Sequence, residues 1–308
     1  MIVTLTPNPC IDRTIRLDRL VAGSLNRAHS ATSEAAGKGV NVSYALATEG
    51  VETVAVLPLA AQSAVEYLGL LADAVPLAAV PIAGAMRVNL SIIESDGTVT
   101  KVNEPGPPLS AADADAIVTA AASASRAGWI VGCGSLPPGA PRDLYGRLAR
   151  LATGDRRIAV DSSGDALAAA TTAGIALVKP NREELQELVR RPVATLGDVV
   201  DAARGLIARG CGAALVSLGA DGAVYVDAHT ATHAEARVAD TGNPVGAGDA
   251  LLAGFLAAGA RIGALPVAVA WAVAAVRSQG TRMRAVTEAD RAAVVVHARI
   301  DETRRLRA

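Results

Sequence analysis

Residues 243–256 read NPVGAGDALLAGFL. From Ala250 onward the stretch is an apolar helix, with Leu251, Leu252, Phe255 and Leu256 leaving it almost no polar face. Its start is different. Gly246 and Gly248 stand where the first turn should form, with Asp249 directly behind them, and each glycine inside a helix costs roughly 1 kcal/mol relative to alanine. The first turn of a helix has backbone N–H groups without partners, at the positive end of the dipole. Small residues there let an anion reach the backbone, so Gly246, Ala247 and Gly248 make a candidate phosphate cradle. Asp249 belongs beside an anion if it accepts the proton of an attacking hydroxyl. Taken alone, an acidic residue stabilised by the helix dipole explains Asp249 more simply, so the case rests on what precedes this stretch.

Upstream, short β-rich runs alternate with helical patterns. Ile2–Leu5, Val54–Leu57, Trp129–Val131, Ile158–Val160, Leu177–Val178 and Ala214–Val216 read as buried strands. Helical patterns follow from about Val40, Ala64, Ala111, Pro141, Ala166, Glu183 and Val199. This alternation predicts a mostly parallel sheet covered by helices on both faces. Residues 11–33 and 85–103 are polar, β-prone and lack helical spacing. MRVNLSIIESDGTVTKV reads as a hairpin turning at Asp96-Gly97, and both segments are placed outside the main layer, as a small sheet covering a site. After Ala247 the chain reads as chiefly helical. Ligands of open α/β sheets bind beyond the carboxyl ends of the strands, which directs attention to TPNPCID, GCGSLPPG, DSSGDA, KPNREE and SLGADG.

The composition sets bounds. The 308 residues suit one large α/β domain or two small ones, and 29 basic against 30 acidic side chains argue against a protein that works by gripping nucleic acid. No uninterrupted apolar run reaches membrane-span length. Cys10, Cys133 and Cys211 form no CxxC pair and the histidines no ligand cluster with them, so a reduced, cytoplasmic compartment without structural zinc is expected. Only three basic residues are lysines, Lys38, Lys101 and Lys179; the rest are arginines. Two of the three sit in polar motifs, where an ammonium does not replace a guanidinium.

In VKPNREEL, Asn181 can cap a helix with Glu184 closing a capping box. The same pair at a strand end can hold the water shell of Mg²⁺ beside a nucleotide, with Lys179 near the phosphates or bracing the loop. AAGKGVN opens another helix. Gly37 and Gly39 give close backbone approach, and Lys38 and Asn41 offer donors. It is not a Walker A loop, since Gly39 follows the lysine.

The order of these motifs, NPxxD, GKGxN, GSLPPG, KPNxxE, SLGxxG and GAGD, resembles the PfkB branch of the ribokinase-like sugar kinases from Thr4 to about Gly280, particularly the phosphofructokinase and tagatose-phosphate kinase group. The resemblance implies one ribokinase-like domain over 1–308, with lid segments at about 11–33 and 85–103 that form a homodimer contact. It implies Asp249 as catalytic base and Gly246, Ala247 and Gly248 as anion hole. Asn181 and Glu184 are then tied to Mg²⁺ through water. Lys179, Asn181, Ser217, Gly219 and Gly222, with Gly246 and Gly248, bind ATP. Asp12, Gly37, Lys38, Gly39, Asn41 and Asn89 hold the sugar, and Arg27 and Arg87 its phosphate. The implied reaction is transfer of the γ-phosphoryl group of ATP to a phosphorylated ketohexose. Fructose 1-phosphate is the leading acceptor, with fructose 6-phosphate and tagatose 6-phosphate as alternatives and a free-sugar kinase, nucleoside kinase or silent sugar-phosphate sensor further away. Neither a membrane nor a nucleic acid is implied as partner. Two departures bear on the substrate: Asn243-Pro244 replaces a Thr or Ser before Val245, and the stretch from Val54 to Leu70 lacks a Gly-Gly and an Asp common in relatives.

Overall fold

The computed structural model describes residues 1–72, 74–124, 128–152, 154–238, 245–278, 280 and 282–307. Asn243-Pro244 lies outside the described residues. The described strands are β1 (Ile2–Leu5), β2 (Cys10–Leu17), β3 (Ser30–Ala36), β4 (Thr53–Ala60), β5 (Leu77–Ile82), β6 (Arg87–Glu94), β7 (Val99–Asn103), β8 (Trp129–Cys133), β9 (Arg157–Asp161), β10 (Leu177–Val178), β11 (Ala213–Ser217), β12 (Ala223–Asp227), β13 (Ala231–Ala236) and β14 (Val294–His297).

Ten of them form one sheet in the order β14-β13-β12-β11-β10-β9-β8-β1-β4-β5. From β5 to β11 every pairing is parallel; β12, β13 and β14 add antiparallel strands at one edge. All six strands read from the sequence lie in the parallel part. Their continuous apolar runs have the same cause. Val3 and Leu5 enter one core cluster and Ile2 the other, and likewise Ile158 and Val160 against Ala159. A strand covered on both faces has no polar side to show. One cluster is completed by helices such as Ala111–Ser123, Leu144–Leu151 and Leu196–Ala208, the other by Lys38–Thr48, Ala247–Ala257 and Leu265–Val276. Helix Ala247–Ala257 packs closely on Leu265–Val276, because a Cβ at Gly254 would stand 2.7 Å from Trp271 Cγ.

Two sequence expectations change. The region after Ala247 is not chiefly helical throughout, because β14 pairs with β13 at the sheet edge. The strand at Val54–Leu57 is longer than expected. It continues to Ala60 and pairs with β5 from Ala55 to Ala60, over part of the stretch that lacks Gly-Gly.

The remaining strands form a separate four-stranded sheet, β3-β2-β6-β7. β6 and β7 are the hairpin, with Gly97 at φ 88° in its turn. Register decides what this sheet shows. Cys10 lies opposite Arg87 and Asp12 opposite Asn89 on parallel β2 and β6, while Asn89 pairs with Asn103 of β7. Alternation along a strand puts these five residues on one face. No described helix is long and apolar enough to cross a membrane.

Candidate active site

The carboxyl ends of the parallel strands open into a cleft of about 1700 Å³. Its floor is the start of helix Ala247–Ala257. Gly246 caps that helix at φ 83°, a left-handed conformation that glycine adopts without strain, and no side chain caps it. Ala250 N donates to Gly246 O at 2.9 Å, so the amides of Ala247, Gly248 and Asp249 have no partner within the helix. All four residues from Gly246 to Asp249 line the cleft.

Asp249 is buried, and its Oδ2 accepts a hydrogen bond from Asn41 Nδ2 at 2.8 Å. Burial, and then the charge of Asp161, push its carboxyl up to about 6; Lys38, the Asn41 amide and Lys179 restrain the rise. It is thus a stronger proton acceptor than an ordinary aspartate, yet still ionised at neutral pH.

Asp161, at the end of β9, had no assigned role in the sequence reading. It is 1 % exposed and sits between two ammonium groups: Lys38 Nζ is 2.7 Å from Oδ1 and Lys179 Nζ 2.9 Å from Oδ2. Burial opposes its charge, but Lys179 and Lys38 outweigh that and hold its carboxyl below the usual range. Burial likewise opposes the charge on Lys38, while Asp161, Asp249 and Glu184 raise it. The signal for Asp161 in the sequence was its place directly behind an apolar strand, in DSSGDA.

Asn181 and Glu184 realise the capping box. Glu184 N donates to Asn181 Oδ1, and Asn181 N to Glu184 Oε2, both at 2.8 Å. The other oxygen, Glu184 Oε1, faces Lys38 Nζ at 3.8 Å. Ser217 pairs with Asn181 in a parallel bridge. Beyond it, Gly219 at φ 57° and Gly222 at φ 81° shape a tight turn; a Cβ at Gly222 would collide with Ala234 O. Lys179, Asn181, Ser217, Gly219 and Gly222 all line the cleft, as do Val269, Ala272, Val273 and Val276. This apolar wall was not read from the sequence, where these residues are indistinguishable from core.

On the side of the small sheet, Asp12, Asn89 and Arg87 line the cleft with Gly37, Lys38 and Asn41. Asn89 Nδ2 donates to Asp12 Oδ1 at 3.1 Å. Arg87 Nη2 donates to Asn8 O at 3.0 Å and Nη1 to Glu104 O at 3.2 Å. Arg87 Nε, Asn89 Oδ1 and Asn8 Oδ1 are buried without a hydrogen-bond partner. Leaving such atoms unpaired costs about 1–3 kcal/mol each, and three together mark a place for a polar ligand.

Two expected residues are not at the cleft. Gly39 does not line it; a Cβ there would collide with Thr6 Oγ1 and stand 3.2 Å from Thr4 Cβ, so this glycine serves helix–strand packing. Arg27 is exposed on the loop joining β2 to β3. β2 leaves the cleft at Asp12 and runs roughly 17 Å to Leu17 at the usual rise per residue, so its far loop lies away from the cleft of its own chain.

A family model described as pfkB family carbohydrate kinase matches residues 5–288. The chain is similar to 1-phosphofructokinase of Haloferax volcanii, with 39% identity over 270 residues covering 84% of each chain. It is similar to 1-phosphofructokinase of Xanthomonas campestris pv. campestris, with 37% identity over 264 residues and 83% of each. Among solved structures, phosphofructokinase-2 of Escherichia coli in complex with potassium superposes with a TM-score of 0.85 at 30% identity, covering 94% of this chain and 96% of that one. The motif order, the cleft at the strand ends and these matches agree: the chain belongs to the pfkB family of carbohydrate kinases.

Proposed function

We propose that this chain is an ATP-dependent sugar-phosphate kinase that transfers the γ-phosphoryl group to a hydroxyl of fructose 1-phosphate, giving fructose 1,6-bisphosphate. One juxtaposition carries the reading. Asp249, steadied by Asn41, lies in a helix start with unpartnered amides, in the cleft that Arg87, Asn89 and Asp12 enter from the small sheet. The 1-phosphofructokinase names of the relatives support the acceptor.

Phosphoryl transfer has a loose transition state, so the protein chiefly positions reactants and stabilises charge. In this reading Asp249 takes the proton of the acceptor hydroxyl. The amides at Ala247 and Gly248 meet the transferred group without reorganising. Asp12, Asn41 and Asn89 hold sugar hydroxyls, and Arg87 meets the acceptor phosphate. ATP lies along Ser217, Gly219 and Gly222, against the apolar wall. The small sheet acts as a lid that keeps water from competing with the sugar, within one kinase unit spanning 1–308.

Mg²⁺ is tested by the donors present. Glu184 Oε2 serves the cap, leaving Oε1 as one carboxylate oxygen toward the cleft. Among the described residues no cluster of three or more His, Cys, Asp or Glu is arranged as a metal cage. That set fits an ion that keeps its waters and is held chiefly by phosphates, with Glu184 binding through water and Asn181 orienting Glu184. When bound, the ion neutralises charge on the nucleotide phosphates. A homodimer through the small sheet fits its edge strand β7, on which Val99 and Val102 are half-exposed, one on each face.

ADP release measured across fructose 1-phosphate, fructose 6-phosphate, tagatose 6-phosphate and the free sugars tests the reading. Fructose 1-phosphate is expected to give the highest kcat/KM. A free sugar as best substrate removes the phosphate role of Arg87, and no turnover with any of them removes the kinase.

A further inference from the structure

After β14 the chain turns back across the nucleotide end of the cleft. Residues 300–307 lie beyond the span matched by the family model, which assigns them no role. They are nevertheless docked closely, as a strap. Gly197 N donates to Glu302 O and Leu196 N to Arg304 O, both at 3.0 Å, and Leu306 N donates to Ala194 O at 2.9 Å. Gly197 permits this approach, since a Cβ there would stand 2.8 Å from Glu302 O. Arg182 Nη1 holds Arg307 O at 2.7 Å, one residue after Asn181.

The centre of the strap is Arg304. Its Nη1 donates to Glu235 Oε1 at 3.0 Å, and its Nη2 to Glu235 Oε2 at 2.6 Å and Asp221 Oδ1 at 3.1 Å. Asp221 is 3 % exposed and also accepts from Arg307 N at 2.7 Å. Asp221 directly precedes Gly222, and Glu235 belongs to the strand against which Gly222 packs. One guanidinium fork therefore joins the turn carrying Gly219 and Gly222 to β13. It also neutralises two carboxylates that would otherwise face an anionic nucleotide. Arg304, Arg305 and Arg307 line the same cleft as Ser217 and Gly219.

We propose that the strap is part of the nucleotide site, with Arg304 as a positioning residue that fixes the Gly219–Gly222 turn for ATP. The inference rests on the kinase reading above. The first test is Arg304→Lys, which keeps a charge but loses the bidentate fork. Its dissociation constant for ATP is expected to rise about tenfold while KM for fructose 1-phosphate stays within about twofold, because a displaced turn affects only the ligand it shapes. A purely structural strap would lower the melting temperature and leave the affinity for ATP unchanged in the folded variant, and that result overturns the proposal. The second test uses the unmutated protein, so it stands even if the variant does not fold. ATP is expected to slow hydrogen exchange at the amides of Leu196, Gly197, Leu306 and Gly222, and fructose 1-phosphate alone is expected not to. Protection by ATP at Ala247 and Gly248 but not at the strap overturns the strap's role and leaves the kinase reading standing. Protection at neither removes both.

Discussion

The hydrogen bond from Asn41 Nδ2 to Asp249 Oδ2, 2.8 Å long, should be visible in the pH profile. Burial pushes the Asp249 carboxyl up to about 6, and the Asn41 amide is one of the groups that limit the rise. A hydrogen bond to a charged group contributes about 1.5–3 kcal/mol, and one pKa unit corresponds to about 1.36 kcal/mol. Asn41→Leu keeps the approximate volume and removes the donor. The carboxyl should then rise by roughly one to two units, toward about 7–8. The profile of kcat/KM reports groups of the free enzyme. Its acid limb should lie near 6 in the unmutated protein and shift upward by at least about one unit in Asn41→Leu.

Stability gives a second readout, independent of turnover. The folded carboxyl of Asp249 is raised above its unfolded value of 3.8. The folded state therefore binds the proton more tightly, and stability falls as pH rises between the two values. Asn41→Leu extends that window upward, so its deficit against the unmutated protein should be smaller near about pH 5 and larger near about pH 8. An acid limb that stays near 6 in the variant would refute the role given to Asn41. A limb near about 4 in the unmutated protein, where ordinary aspartates titrate, would refute the buried base itself.

Asp249→Asn should fold and bind ATP yet lose about 10²–10⁴ in kcat; near-normal turnover on the identified acceptor removes it from the chemistry. Arg87→Ala should raise KM for fructose 1-phosphate by about tenfold to a hundredfold, as loss of a charge-assisted contact implies, with KM for ATP unchanged; equal loss on a free ketohexose would mean that Arg87 does not read the phosphate. Glu184→Gln keeps a capping box, which accepts glutamine at that position, so the melting temperature should hold while half-maximal activity needs more Mg²⁺. Lost stability with an unchanged Mg²⁺ profile would leave Glu184 as a cap alone. Gly39→Ala should cost about 1–3 kcal/mol in denaturant unfolding, the usual range for overpacking, through the collision with Thr6 Oγ1; an unchanged midpoint would mean that the helix yields there at no cost.

The parallel strands were legible because burial on both faces makes them continuous apolar runs. β13, reading ATHAEA, has no such run, because its polar Thr232, His233 and Glu235 are covered by partners from elsewhere in the chain, His233 meeting Asp221 O and Glu235 meeting Arg304. β14, reading VVVH, follows directly on a short helix, and its pairing depends on β13, some sixty residues earlier. Local motifs fared the same way. The Asn181–Glu184 box and the start at Gly246 are each contained within one turn of chain, so the local sequence offers them as candidates, and the order of the surrounding motifs gives the second its role. Asp161 has meaning only through Lys38 and Lys179, which the fold delivers from other strand ends. Arg27 shows the converse: the sequence locates its loop next to β2 but not which end of β2 meets the cleft.

Two of the three lysines in this arginine-rich chain meet at the cleft. Lys38 and Lys179 hold Asp161 at the cleft floor, with Asp249 and Glu184 also close enough to act on Lys38. Two ammonium groups thus stand against three carboxylates, a balance unfavourable to a polyphosphate until further positive charge enters. In the proposed kinase the helix start at Gly246 would supply part of it through its amides, and a cation carried in with the nucleotide would supply more. A point charge on a flexible stem also suits this position better than a fork. Lys179 Nζ lies 3.5 Å from where a Cβ on Gly248 would be, so it reaches both the Asp161 carboxylate and the start of the helix at Gly248. A planar guanidinium bound bidentately to Asp161 would be committed to that partner. Asp161 thereby holds a buried Lys179 and a part-exposed Lys38 side by side at the cleft floor, and in the proposed kinase both are placed to turn toward phosphate oxygens.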